Sequence, residues 1–434
     1  MKNQPWGLDN LFPLKATSAK LAPGGWSWCK QCRNCEVDAC YRRQFFVPAW
    51  WGTGNIKLCY SVGFCTPFAG SRRCDGAVGG ALAGQPTAPP VLSAPKMMGR
   101  TLKQTPGLSP RDVIGRALHT VTPLIESVSA GARLGCAVMM KLENTQPSGS
   151  YKLRGMGYKG ALAVQRGATH FVASSGGNAG LAVAWAARSL GVQATVVVPS
   201  TTPDFARKAI ESFGATARVH GDVYAQADAL ARELAAGEDC EYFSAYDDPE
   251  LWAGHATMVE EMQEQLGPGV TPSAVVLSVG GGGLMCGVVE GLHRVGWQDV
   301  PVIAMETVGA DCFHLAQKAG ELVEIYPTSM AKSLGASTAA AQTLVCDANH
   351  TIHSVVIEDR TAVAACCDFA ADHRLIVEPA CGAALATMYD RSLIAQLAGG
   401  DSMLAGEGPI VVVVCGGSMA TPALLTEWTK QAAL

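Results

Sequence analysis

At 434 residues and 48% apolar content, the chain is long enough to bury the cores of two or three domains. Its net charge of −4 leaves no basic footprint for nucleic acid. Its clearest apolar run, 410–414, falls far short of the ~20 residues a membrane helix requires, so a soluble globular protein is expected.

The first 95 residues differ from the rest. Seven of the 16 cysteines lie before residue 75, five of the nine tryptophans before residue 52, and a Gly/Ala/Pro-rich stretch follows from Gly76. No helical or strand period is sustained, so 1–95 reads as a disordered extension and linker. Cys29, Cys32, Cys35 and Cys40 have the spacing C-x2-C-x2-C-x4-C, which crowds three ligands where zinc usually takes two C-x2-C pairs separated by a longer loop. Residues 1–20 lack a secretory apolar core and carry no arginine for a mitochondrial presequence. Later cysteines such as Cys286, Cys366 and Cys367 sit in apolar patterns, as reduced thiols in a cytoplasmic compartment would. After Leu118, apolar strands are expected at 171–173, 194–199, 274–279, 300–305 and 410–414, with helices at 179–190, 204–213, 226–236 and 361–372. Continuous apolar strands alternating with helices imply an α/β fold of parallel sheets covered on both faces.

Four loop motifs punctuate this pattern. Lys152 lies in Ser148-Gly149-Ser150-Tyr151-Lys152-Leu153-Arg154-Gly155, where small neighbours let its amine reach a bound aldehyde. Acting as a base, it would need a partly dry pocket, since a free lysine has a pKa of about 10.4; the bland alternative is a surface lysine in a turn. Gly280, Gly281, Gly282 and Gly283 follow strand 274–279 and open the apolar stretch 284–292, which aims backbone N–H groups at an anion such as phosphate. A plain tight turn is the alternative. A dinucleotide site, suggested by Glu306 near the end of the next strand, fails on spacing because Met285 and Cys286 stand where the third glycine belongs. Ser174-Ser175-Gly176-Gly177-Asn178-Ala179-Gly180 joins a strand to a helix. Its N–H groups and the Ser175 hydroxyl can take a carboxylate, with Gly176, Asn178 and Ala179 lining that loop, although Asn178 could be only a helix cap. Cys415, in Val414-Cys415-Gly416-Gly417-Ser418, follows the last buried strand and could be only a core thiol. A reactive lysine with anion-binding loops points to pyridoxal phosphate.

From about Leu118 onward the chain resembles the β-family (fold type II, tryptophan synthase β-like) pyridoxal-phosphate enzymes, and most closely their L-serine dehydratase/L-threonine deaminase group. Further matching motifs are Thr122-Pro123-Leu124, Lys141-Leu142-Glu143, Asp247-Asp248-Pro249, Gly254-His255, Ala304-Met305-Glu306-Thr307 and Val377-Glu378-Pro379-Ala380-Cys381-Gly382-Ala383-Ala384. The resemblance implies two parallel-sheet domains: a large cofactor domain from 96–156 and 254–434, and a small domain, 157–253, that closes over substrate. It implies that Lys152 holds the cofactor and removes the Cα proton, with Tyr151 against the ring and Asn178 at the phenolic oxygen. The phosphate falls to Gly280–Gly283 and Leu284, and the pyridine nitrogen to Cys415. A neutral thiol there does not keep a proton on the ring, which favours prompt loss of a β-hydroxyl over transamination. Glu306, Ala310, Ser333, Leu334 and Ala336 match the family's monovalent-cation site, implying potassium, although Glu306 could be a solvent-capped acid at a strand end. The implied activity is elimination of L-serine to pyruvate and ammonia, with L-threonine secondary, in a homodimeric enzyme of amino-acid catabolism and gluconeogenesis. The alternatives are a serine racemase or threonine synthase, or a catalytically weak cofactor-binding paralogue; Gly176 stands where serine racemases carry serine.

Overall fold

The computed structural model describes residues 117–434; the extension 1–95, its cysteine cluster and the start of the expected large domain lie outside the described residues. Ten strands occur among the described residues: β1 (Leu124–Glu126), β2 (Val138–Lys141), β3 (His170–Ala173), β4 (Gln193–Val198), β5 (Thr216–Val219), β6 (Cys240–Phe243), β7 (Ala274–Ser278), β8 (Val302–Thr307), β9 (Ile352–Ile357) and β10 (Ile410–Val413). They form a six-stranded sheet in the order β1-β2-β10-β7-β8-β9 and a four-stranded sheet in the order β5-β4-β3-β6. Only the β1–β2 pair is antiparallel; the other pairings are parallel.

The central strands are those the apolar pattern predicts. β7 and β10 are buried at every residue because helices cover both faces of a parallel sheet. β1, β2, β5, β6 and β9 were not expected: β1 and β5 are mostly exposed, β6 is half-buried and β9 alternates, so none of these four carries a continuous apolar run, and β2 is a short strand that ends in the buried Lys141. β8 starts two residues later than expected and runs through the buried Glu306 and Thr307, which apolar counting cannot include.

The carboxyl ends of the strands, where open parallel sheets bind ligands, deliver the loop motifs. β3 leads through Ser174 into the helix Asn178–Leu190, β7 leads through the glycines into the helix Gly283–Arg294, and β10 runs into Cys415. The helix Lys152–Gln165 carries the lysine at its first position. It packs against the helices Asn178–Leu190 and Pro249–Leu266, of which the second is capped by Asp248 with proline at its start. Among the described residues no helix is long and apolar enough to cross a membrane.

Candidate active site

The Lys152 side chain is half-buried, and its Nζ donates 2.5 Å to the carbonyl of Ala245, just past β6. Burial lowers its pKa to about 8, against opposing pulls from Cys415 and Glu378; the positive helix start acts in the same direction as burial. The amine lies 5.1 Å from the centroid of the Tyr151 ring, which meets His255 edge-on at 5.0 Å. His255 is fully buried with both ring nitrogens unpartnered among the described residues, and burial holds it neutral.

Cys415 is buried, and its carbonyl accepts the Tyr151 N–H at 3.1 Å. A hydrogen bond to Cys381, then burial, pushes its thiol pKa well up, so it is neutral. Asn178 is the first residue of its helix, and Gly177 is the cap. Its side chain therefore reaches across the site: Nδ2 donates to Glu378 Oε1 at 2.6 Å and to Ser333 Oγ at 3.3 Å, while Oδ1 accepts from the N–H of Ser418 at 3.0 Å and from its hydroxyl. Glu378 is pushed up to about 6 by burial, tempered by Ser333, Asn178 and Lys152.

The glycine run is shaped by close approach. A Cβ on Gly281 would meet the Tyr246 ring at 2.3 Å, and Gly282 sits at φ +90° with Thr343 Cγ2 2.1 Å from where its Cβ would stand. The N–H groups of Gly281, Gly282, Gly283 and Leu284 have no acceptor among the described residues, as expected where a helix begins. In the asparagine loop, the Ser175 hydroxyl accepts the Gly177 N–H at 3.4 Å, Ala179 is buried, and a Cβ on Gly176 would meet Thr202 Cγ2 at 2.7 Å.

The expected cation residues come from two segments; just past Ala310, the Cys312 thiol donates to the Gly280 carbonyl at 3.5 Å. Glu306 is fully buried and accepts the N–H groups of Phe313 at 3.0 Å and His314 at 2.8 Å; burial nonetheless raises its pKa to about 8. Ala310 bridges back to Thr307. In the turn containing Ser333, Leu334 and Ala336, Leu334 Cα lies 2.9 Å from where a Gly280 Cβ would stand. No group of three or more His, Cys, Asp or Glu side chains could hold a metal ion among the described residues.

The family model of the pyridoxal-phosphate dependent enzymes matches residues 116–416. The chain belongs to that family. Human L-serine dehydratase/L-threonine deaminase is 47% identical over 319 residues, 73% of this chain and 96% of that protein. The human protein named serine dehydratase-like is 46% identical over 301 residues, 69% of this chain and 91% of its own length. Among solved structures, an L-serine ammonia-lyase from the fungus Rhizomucor miehei matches with TM-score 0.67 at 37% identity, covering 73% of this chain and 100% of that one.

The residues present fit the cofactor of the pyridoxal-phosphate dependent enzymes. The four free amides suit an anion, the Lys152 amine is near neutrality and partly open, and the buried hydroxyls of Ser148 and Ser150 lack partners. Glu378, Ser418 and the Ala245 carbonyl were not singled out as site residues from the sequence. Glu378 lay inside a quoted motif, but an acid before a proline carries no signal of its own, and a backbone carbonyl carries none.

Proposed function

We propose that this pyridoxal-phosphate dependent enzyme converts L-serine to pyruvate and ammonia, the water lost in the elimination being taken up again on hydrolysis, and acts secondarily on L-threonine to give 2-oxobutanoate. One arrangement carries the reading: a lysine amine of lowered pKa donates to Ala245, next to Tyr246 whose ring lies against the glycine run, and feels Cys415 and Glu378, the latter bonded to Asn178. The kinship to proteins named for both activities supports it.

When bound, pyridoxal phosphate supplies an aldehyde that captures an amine and a conjugated ring that accepts the electron pair left at Cα. Lys152 would hold that group through its amine and would also be the base for the Cα proton; a pKa of about 8 lets it accept and return a proton near neutrality. Gly280 to Leu284 would hold the phosphate with their amides, and Tyr151 would pack against the ring. Asn178, oriented by Glu378 and Ser418, would face the phenolic oxygen. Ser175, Gly176, Asn178 and Ala179 hold the substrate carboxylate. Cys415, an uncharged thiol, would face the pyridine nitrogen and would supply no proton to strengthen the ring as an electron sink, which would favour loss of the β-hydroxyl. The released aminoacrylate hydrolyses to pyruvate and ammonia. Residues 157–253 form the closing domain.

Potassium is assigned to Glu306, Ala310, Ser333, Leu334 and Ala336. In support, Glu306 is a buried acid with no cationic partner among the described residues, and a nearby ion would relieve its raised pKa. A homodimer in the cytoplasm completes the reading; the nine described cysteines are all free thiols.

The test is purified enzyme with L-serine, L-threonine and D-serine, reading keto acid and chirality together. Pyruvate from L-serine should dominate. D-serine formation should be weak, because racemisation needs an acid/base on the opposite face of Cα and Thr202 leaves Gly176 no room for a side chain. D-serine appearing as fast as pyruvate overturns the assignment.

A further inference from the structure

We propose that Asp228 is a positioning residue for substrate binding: its carboxylate fixes the loop that cradles the substrate carboxylate in register with the segment that faces the lysine. Asp228 lies on the helix Tyr224–Leu234, which packs Ala227 and Ala231 against Val172 and Val197 of the small sheet. It does not reach the lysine, yet it ties down both strand ends that do the work.

On one side, Ser174 Oγ donates to Asp228 Oδ1 at 2.5 Å and lies 3.1 Å from the Tyr224 hydroxyl. Ser174 is buried directly after β3 and directly before Ser175, Gly176 and Gly177. On the other side, the Tyr242 hydroxyl donates to the same Oδ1. Tyr242 belongs to β6, which pairs with β3 so that Val172 faces Tyr242. β6 continues into Ala245, whose carbonyl receives the Lys152 amine, and Tyr246, whose ring lies against Gly281 and whose hydroxyl donates 2.9 Å to the Thr338 carbonyl.

The junction is built to stay ionised. Burial opposes the charge, but hydrogen bonds from Ser174, Tyr242 and Arg232 hold the carboxyl below its ordinary pKa. Arg232 Nε donates to Oδ2 at 2.8 Å, and its guanidinium covers the Tyr242 ring at 4.3 Å. An ionised carboxylate accepts several hydrogen bonds at once, and charge-assisted bonds are about twice as strong as neutral ones. One side chain therefore fixes the ends of β3 and β6 relative to each other. Losing it frees Ser174 and the carboxylate loop, whereas β6 keeps its ladder to β3, Tyr246 keeps its bond to Thr338 and Lys152 keeps its place at its helix start, so substrate affinity falls and the chemical step is spared.

The inference rests on the amino-acid reading of the asparagine loop, and the experiment separates the two. Holoenzyme carrying Asp228→Ala, Ser174→Ala or both is compared with wild type for kcat and KM with L-serine. L-serine affinity is also read from the change in cofactor absorbance, which needs no turnover. The expected result is a rise of about tenfold or more in KM and dissociation constant, the scale of one hydrogen bond to a charged group, with kcat within about threefold and the cofactor absorbance retained. The double variant should match Asp228→Ala alone, because the two substitutions remove one interaction. A lowered melting temperature or kcat with unchanged L-serine affinity would make Asp228 merely structural and overturn the proposal. If wild type binds L-serine but forms no pyruvate, the elimination reading fails, and Asp228 is still judged by the affinity ratio.

Discussion

Replacing Arg154 with methionine should cost this enzyme about 3–5 kcal/mol of stability, the range for breaking a buried ion pair by removing one partner. The guanidinium is fully buried and grips two carboxylates at once. Nε and Nη2 meet Glu143 at 2.8 and 2.7 Å, and Nη1 and Nη2 meet Glu261 at 2.8 and 2.7 Å. Lys141 Nζ adds 2.7 Å to Glu261, so two cations balance two carboxylates, while burial, then Arg154, lowers the pKa of His119 to about 4 and keeps it neutral. Without Arg154, Glu143 retains Thr122 Oγ1 at 2.6 Å and Gln146 Nε2 at 3.2 Å, which cannot offset a buried negative charge. At about 2 °C per kcal/mol, the low end for a body of this size, the melting temperature should fall roughly 6–10 °C. The sign of the pH dependence follows. In the wild type Glu143 is held below its ordinary pKa, burial notwithstanding, by Arg154, and contributes stability above that value. In the variant its pKa rises above the unfolded value, so stability is lost as pH rises and the deficit should be larger at pH 8 than at pH 5. Arg154→Lys keeps a charge but loses the fork and should recover less than half of the loss. Thermal melts followed by circular dichroism read all three quantities. An Arg154→Met melting temperature within about 2 °C of wild type at pH 8 would refute the reasoning.

Lys152→Ala should abolish both keto-acid formation and the visible absorbance of the bound cofactor, since one amine supports both; substantial turnover with L-serine would remove the assignment. Glu378 titrates near 6, and its carboxylate form accepts the Asn178 amide, so kcat/KM should decline as pH falls below about 6. Glu378→Gln, which cannot titrate, should lose that acid limb, and an unchanged limb would exclude Glu378 as its source. Activity should be higher in potassium than in sodium and lowest in a bulky organic cation, whereas equal rates after desalting would reject the ion assigned at Glu306. Removing residues 1–95 should leave L-serine turnover and melting temperature nearly unchanged, because all four loop motifs lie after Leu118; stoichiometric zinc in the full chain, or a large loss on truncation, would contradict this.

The sequence by itself determined the parallel α/β class and the elements that carry the site. Apolar runs such as 274–278 and 410–413 need burial on both faces, and glycines or a lysine at the strand exits announce themselves by residue type. It did not reveal β1, β5, β6 or β9, whose side chains are partly exposed and show no continuous apolar run, or β2, a short strand that ends in the buried Lys141. Nor could it decide between Asn178 as a helix cap and Asn178 as a site residue. Tertiary structure removed the cap reading by placing Gly177 at the cap, and it brought Glu378, 200 residues away, within 2.6 Å of the Asn178 amide. The partners of Lys152, Arg154 and Asp228 were likewise decided only in the fold. Periodicity records which faces are buried, but a hydrogen bond between residues distant in sequence depends on where two sheets place their strand ends, and no local pattern encodes that distance.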